Sequence, residues 1–211
     1  MRDICRSFYF RVFCVLLLVF MLYSFVLKIF IEPITSIDLR ILHWVRGSFS
    51  FIPLSVVVFI TDLGISTTFL GCYAFVAGYF LALKKYMTIV VLLANFFLFV
   101  PAIHLAKSLF LRERPDVLLH RIAETGYSYP SGHSSTAFFI GLLGLFFVSK
   151  TLFHVNVKRV LSVIIFIWML LLPLSRVWLG VHYPTDIIGG AIYGSLLACL
   201  TLTIIQKDYE N

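Results

Sequence analysis

A chain of 211 residues that is 61% hydrophobic and only 13% charged lacks the polar shell of a soluble domain, whose charged share is near one quarter. The formal charge of +7 does not point to nucleic acid, because the basic residues stand singly or in pairs between apolar runs and form no patch. With a mean hydropathy of +1.01 and no linker-like stretch, the chain reads as a single-domain (1–211) polytopic membrane protein.

In chain order, Arg2, Arg6 and Arg11 precede an apolar run from Val12 to Leu27. The run is long enough to span and no A-x-A-like cleavage site follows, so it is expected to be a retained first helix. A bilayer core of about 30 Å needs about 20 apolar residues in helix. Six segments qualify, at roughly 8–31, 63–83, 86–108, 133–150, 158–176 and 184–205. Between the first two, Ile37, Ile41, Trp44 and Val45 recur at helical spacing and predict an amphipathic helix lying at the interface. The predicted fold class is therefore all-α, a membrane bundle of six transmembrane helices with one interfacial amphipathic helix. Cys5, Cys14, Cys72 and Cys199 show no metal-ligand spacing and read as small hydrophobes.

Six spans place both termini on one side. That side carries nine Lys and Arg residues against eight on the other, and raw counting decides nothing. Setting aside Lys107, Arg114 and Arg176, which are assigned below to a phosphate site, leaves nine against five. The positive-inside rule then puts the termini in the cytoplasm. Segments 107–132 and 176–183 would emerge together on the outer face.

Three stretches in those segments stand apart from the apolar background. The first runs from Lys107 to Arg114 and Pro115, with Arg112 and Glu113 inside it. Cations at span ends call for anionic partners, and Glu113, Asp116, Glu124 and Asp186 could serve as ordinary ion pairs. Arginine forks also suit a tetrahedral phosphate. The second stretch, Pro130-Ser131-Gly132-His133, precedes an apolar helical run. A Ser-Gly turn entering a helix offers free backbone N–H groups to an anion, or Ser131 simply caps the helix. The third holds Ser175, Arg176, His182 and Asp186. A carboxylate bonded to one ring nitrogen fixes a histidine's tautomer and raises the nucleophilicity of the other nitrogen. Pro184 requires that pairing to come from a turn and not from regular helix. Together the stretches bring two histidines, several cations, an anion-cradling turn and an orienting carboxylate to one face.

These three stretches resemble the signature motifs of the type 2 phosphatidic acid phosphatase superfamily, which includes vanadium haloperoxidases. Lysine, six residues and Arg-Pro are matched by Lys107, Arg114 and Pro115; Pro-Ser-Gly-His by Pro130 to His133; Ser-Arg, five residues, His, three residues and Asp by Ser175, Arg176, His182 and Asp186. The motifs occur in order, separated by 14 and 41 residues. The resemblance implies that His182 attacks phosphorus, that Asp186 orients its ring, and that His133 protonates the leaving oxygen and later activates water. It implies that Lys107, Arg114, Arg176, Ser131 and the Gly132 backbone hold the phosphoryl oxygens, without metal or other cofactor.

On the same basis the expected substrate is a membrane lipid phosphate or pyrophosphate. The small six-span form resembles bacterial cell-membrane members that act on undecaprenyl diphosphate. Phosphatidylglycerophosphate or phosphatidic acid is the alternative, and lipid A a further one. Vanadate-dependent halide oxidation belongs to larger soluble relatives, and a transporter would carry polar residues at mid-span. Arg112 is left as a phosphate or head-group contact or a snorkelling side chain. His104, one turn before Lys107, either lines the site or is a core histidine. Gly190 and Gly194 suggest helix packing.

Overall fold

The computed structural model describes residues 8–64, 71, 74, 78 and 80–210. The labelled helices, in chain order, are α1 (Phe8–Ile29), α2 (Ile31–Ser48), α3 (Leu54–Asp62), α4 (Tyr86–Phe110), α5 (Gly132–Lys150), α6 (Val155–Trp178) and α7 (Pro184–Glu210). A short 3-10 turn, Val117–Leu119, interrupts the loop between α4 and α5. No strand occurs among the described residues, so the protein is all-α there.

Five of these helices are long and apolar enough to cross a membrane: α1, α4, α5, α6 and Pro184–Gln206 of α7. The expected span at 63–83 lies largely outside the described residues; residues 80–82 are helical, and Phe80 is buried in the bundle. The fourth predicted span begins one residue early, at Gly132, because Ser131 caps it. The fifth begins at Val155, where the His154 side chain accepts from the Asn156 N–H.

Apolar side chains hold the bundle together on one side of each helix. Leu92, Phe99 and Ile103 of α4, Phe139, Leu143 and Phe146 of α5, and Ala198, Leu202 and Ile205 of α7 form one buried cluster with Phe80. In a bilayer such packing stabilises through van der Waals contact between fitted side chains and not through expulsion of water. Leu105, Leu109, Val163, Ile164 and Phe166 face outward instead, as a lipid-solvated surface permits. The α5–α7 contact is the closest. A Cβ on Gly194 would strike the Ser135 backbone, and one on Gly190 would meet Ser131 O and Ser134. These two glycines let the backbones approach, as a small-residue step predicts. In the middle of α5, Gly141 faces Met169 of α6.

α2 lies across one end of the bundle, touching α6 and α7. Its buried residues are Asp38 and Leu42. Ile37, Ile41 and Trp44 form the opposite, exposed stripe. The turn after α6 is tight. Gly180 has φ 76°, and a Cβ there would collide with Leu119 O. That turn sends the chain from Arg176 directly to His182.

Candidate active site

Each of the three motif stretches ends or begins a helix at the same end of the bundle. Lys107 occupies the last turn of α4, which Leu111 closes in the left-handed conformation, φ 59°, with its N–H on Lys107 O. The reversal brings Arg112 and Arg114 back over the bundle. Ser128 clips the returning segment in place. Its N–H and Oγ donate to Arg112 O, and Oγ also reaches Glu113 O. Lys107 Nζ donates to the carbonyls of Tyr127 and Ser128.

Arg114 is fixed on three sides. Its Nε reaches Gly126 O at 2.9 Å, its Nη2 reaches Thr125 O at 3.0 Å, and its Nη1 reaches Val181 O at 2.8 Å. The same Nη1 lies 3.1 Å from His182 Nε2. A guanidinium can only donate, so Nε2 is the unprotonated nitrogen in this contact. Nδ1 then carries the proton and faces Asp186 Oδ2 at 3.4 Å. The tautomer is thus set from both sides, with the lone pair held among cations.

His182 sits in the turn before α7, and Asp186 in its first turn. The pairing follows from that turn. Asp186 Oδ2 also accepts the Tyr183 N–H at 2.9 Å, and Asp186 is fully buried. Burial, then Arg114, Lys107 and Arg176, holds the His182 pKa well below the ordinary histidine value of 6.5 because each penalises the charged imidazolium.

His133 is the second residue of α5, its ring packed against Gly64. Arg176, near the end of α6, donates through Nη1 to Thr61 Oγ1 at 2.9 Å. Its Nη2 meets Glu124 Oε2, and Glu124 Oε1 lies 3.5 Å from Arg114 Nη2. One carboxylate therefore bridges two of the arginines assigned to phosphate. His133 Nε2 and Arg176 Nε are buried without a hydrogen-bond partner. Arg112 Nε is a third such atom among the described residues, and of the three only His133 lines the cavity. An orphaned polar atom facing a cavity marks a ligand site, since such groups are otherwise costly.

The cavity itself is about 520 Å³. Lys107, Arg114, Gly132, His133 and His182 lie on its wall, as do Glu124 and His104. Asp186 stands behind His182. Arg176 is not on the wall and meets it through Glu124. Ser131 is fully buried, and its Oγ accepts from the Ser134 N–H at 3.4 Å, a helix cap. His104 is exposed and is no core histidine.

Arg112, left between head-group contact and snorkelling, does neither. It is 5% exposed and turns inward. Nη1 donates to Asp186 Oδ1 and Thr185 Oγ1, both at 2.7 Å, and Nη2 to Asp38 Oδ2 at 2.8 Å and Thr35 Oγ1 at 3.1 Å. Its guanidinium lies 4.2 Å over the Tyr183 ring. Glu124, one of the acids expected to ion-pair with the cations, does so with Arg114 and Arg176. Asp38, Thr35 and Thr61 are the site's partners that sequence reasoning alone did not assign to it. Their only signal is an acid or hydroxyl on an otherwise apolar helical face.

Comparison with known proteins follows the same residues. The family model of the PAP2 superfamily matches residues 83–210. The chain is 37% identical over 99 residues to phosphatidylglycerophosphatase B of Bacillus subtilis strain 168, covering 46% of this chain and 47% of that one. It is 35% identical over 105 residues to YbjG of Escherichia coli K12, whose name provisionally assigns it as an undecaprenyl-diphosphatase, with 47% of each chain covered. The chain thus spans under half the length of these curated relatives. A crystal structure of a transmembrane PAP2-type phosphatidylglycerolphosphate phosphatase from Bacillus subtilis superposes with a TM-score of 0.73 at 25% identity. The match covers 92% of this chain and 96% of that one.

Proposed function

The chain belongs to the PAP2 superfamily, and from that premise we propose that it is a membrane phosphatase acting on a lipid phosphate or pyrophosphate through a phosphohistidine. The observation that carries this reading is the two-sided hold on His182. Asp186 faces Nδ1, Arg114 faces Nε2, and a cavity lined by Lys107, Arg114 and His133 opens beside the ring.

His182 Nε2 attacks phosphorus; the N–P bond forms as the P–O bond to the lipid breaks. His133 gives its proton to the departing oxygen. Lys107, Arg114 and Arg176 take up the charge that builds on the phosphoryl oxygens, with the Gly132 N–H beside them. In the second half, His133 removes a proton from water, water oxygen attacks phosphorus, and the N–P bond breaks to release phosphate. Ser131 serves by holding the start of α5 in place, and Arg112 by fixing Asp186. No step calls for a metal, so hydrolysis persists in EDTA.

The preferred substrate is undecaprenyl diphosphate, released as undecaprenyl phosphate. Phosphatidylglycerophosphate, the substrate named for two of the similar proteins, is the second reading; phosphatidic acid and lipid A stand behind it. We further propose that the whole of 1–211 is one domain with a sixth span at 63–83. The exposed stripe of α2 lies in the membrane interface, and the site faces the non-cytoplasmic side of a bacterial cell membrane. Phosphate release from undecaprenyl diphosphate and from phosphatidylglycerophosphate in detergent tests the substrate. A higher kcat/KM on the first supports the preferred reading, and the reverse replaces it by the second.

A further inference from the structure

His104 is a histidine on a transmembrane helix with no partner among the described residues. It is exposed on α4, beside Leu105 and Leu109, which are 61% and 69% exposed. No hydrogen bond or ion pair reaches it among the described residues. A polar, ionisable ring on a lipid-facing surface is costly, and such residues ordinarily mark a substrate path or a partner.

His104 also lines the cavity that holds Lys107, Arg114, His133 and His182. Three residues before Lys107 on the same helix, it lies about 4.5 Å further along the axis and on the adjoining face. Lys107 stands at the helix end, so His104 is the deeper of the two in the bilayer. A lipid whose terminal phosphoryl group meets Lys107 and Arg114 must pass its remaining head group along this wall before its chain enters the membrane. The neighbours on that part of the wall are Leu105, Ser108 and Tyr127. Ser108 donates its hydroxyl to Leu105 O at 2.9 Å, so the polar groups open to a head group there are the imidazole and the Tyr127 hydroxyl.

We propose that His104 binds the second, chain-linked phosphoryl group of a diphosphate substrate and so favours lipid diphosphates over lipid monophosphates. The proposal rests on the phosphatase reading and deepens it. The offset of about 4.5 Å along the helix axis lies within the reach of a head group that carries two joined phosphoryl groups. An imidazole can donate to a phosphoryl oxygen there, whereas phosphatidic acid, whose one phosphoryl group is the terminal one, presents only ester groups at that depth.

The test compares wild type, His104→Ala and His104→Gln by phosphate release from undecaprenyl diphosphate and from the monophosphate phosphatidic acid in one detergent. Loss of a hydrogen bond to a charged group is worth about 1.5–3 kcal/mol, or roughly tenfold and upwards. His104→Ala is expected to lower kcat/KM on the diphosphate by about tenfold or more, and on the monophosphate by less than about twofold. His104→Gln, which keeps a donor, should recover part of the loss on the diphosphate only. An equal fall on both lipids, a fall confined to the monophosphate, or no change on either overturns the proposal. If wild type released phosphate from neither lipid, the phosphatase reading would fail and the role of His104 with it.

Discussion

Arg112 Nη1 donates to Asp186 Oδ1 at 2.7 Å, and the other oxygen of the same carboxylate faces His182 Nδ1. Arg112 in turn is anchored on Asp38 through Nη2. A chain of charge-assisted bonds therefore runs from α2, through the loop after α4, to the ring that faces the cavity. Each member is nearly or fully buried, so each bond is worth more than its surface counterpart.

Asp38→Asn should weaken that chain without touching the cavity. The side chain keeps its shape but loses the charge that holds Arg112. The expected result is a fall in kcat of about tenfold with KM nearly unchanged, together with a lower Tm. Breaking a buried ion pair outright costs about 3–5 kcal/mol, so Asp38→Ala should be the less stable of the two. Steady-state kinetics and thermal unfolding in the same detergent check this; a change in KM alone would contradict it.

Glu124 offers a different test. Its carboxylate spans Arg114 and Arg176, where two phosphoryl oxygens would otherwise bind. A bound phosphate or vanadate must displace it or share the arginines with it. Glu124→Gln removes the competing charge and should lower the inhibition constant of vanadate by roughly tenfold, in line with one charge-assisted bond. An unchanged or higher inhibition constant would show that Glu124 supports the bound anion instead of competing with it.

The frame of this site is readable from the sequence because its chemistry sits at fixed spacing on apolar helices. Lys107 and Arg114, Gly132 and His133, and His182 and Asp186 each fall where a span ends. What holds them together is less readable, since Asp38 meets Arg112 across 74 positions and no local pattern links the two. The α2 pattern also draws attention to the wrong stripe for this purpose. Ile37, Ile41 and Trp44 announce the outward face, while Thr35, Asp38 and Leu42, three and four apart on the other face, contact the site and core. Arg112 is misleading for a similar reason, because an arginine near a membrane edge usually snorkels, and only a buried acid on another helix turns it inward. Ser131 satisfies its two readings unequally: its hydroxyl caps α5, and only the neighbouring Gly132 reaches the cavity.

Activity should persist in acid further than an ordinary histidine base allows. The nucleophilic form of His182 is the neutral one. Burial and then Arg114, Lys107 and Arg176 push its pKa well below 6.5, so protonation, which removes the nucleophile, sets in only at lower pH. The acid limb of kcat/KM should have its midpoint below pH 6.5. In Arg114→Gln, which deletes the cation in contact with Nε2, the limb should move up. A wild-type midpoint at or above 6.5 would contradict the neutral, cation-flanked ring.

Sidedness can be read by thiol labelling. Single cysteines in place of Arg121, in the loop between α4 and α5, and of Lys158, near the start of α6, lie at opposite ends of the bundle. With Cys14 and the other native cysteines replaced, an impermeant maleimide applied to intact cells should label the residue 121 variant and not the 158 variant. Labelling of both from outside would overturn the proposed topology.

The most direct measurement is capture of the covalent intermediate. Wild-type protein mixed with lipid substrate radiolabelled in its terminal phosphate, then quenched in alkali, should retain label on protein as acid-labile phosphohistidine in the peptide containing His182. His182→Ala should retain none and should release no phosphate, while His133→Ala should accumulate no more than slowly formed label. Full hydrolysis by His182→Ala, or label on a residue other than His182, would contradict the account.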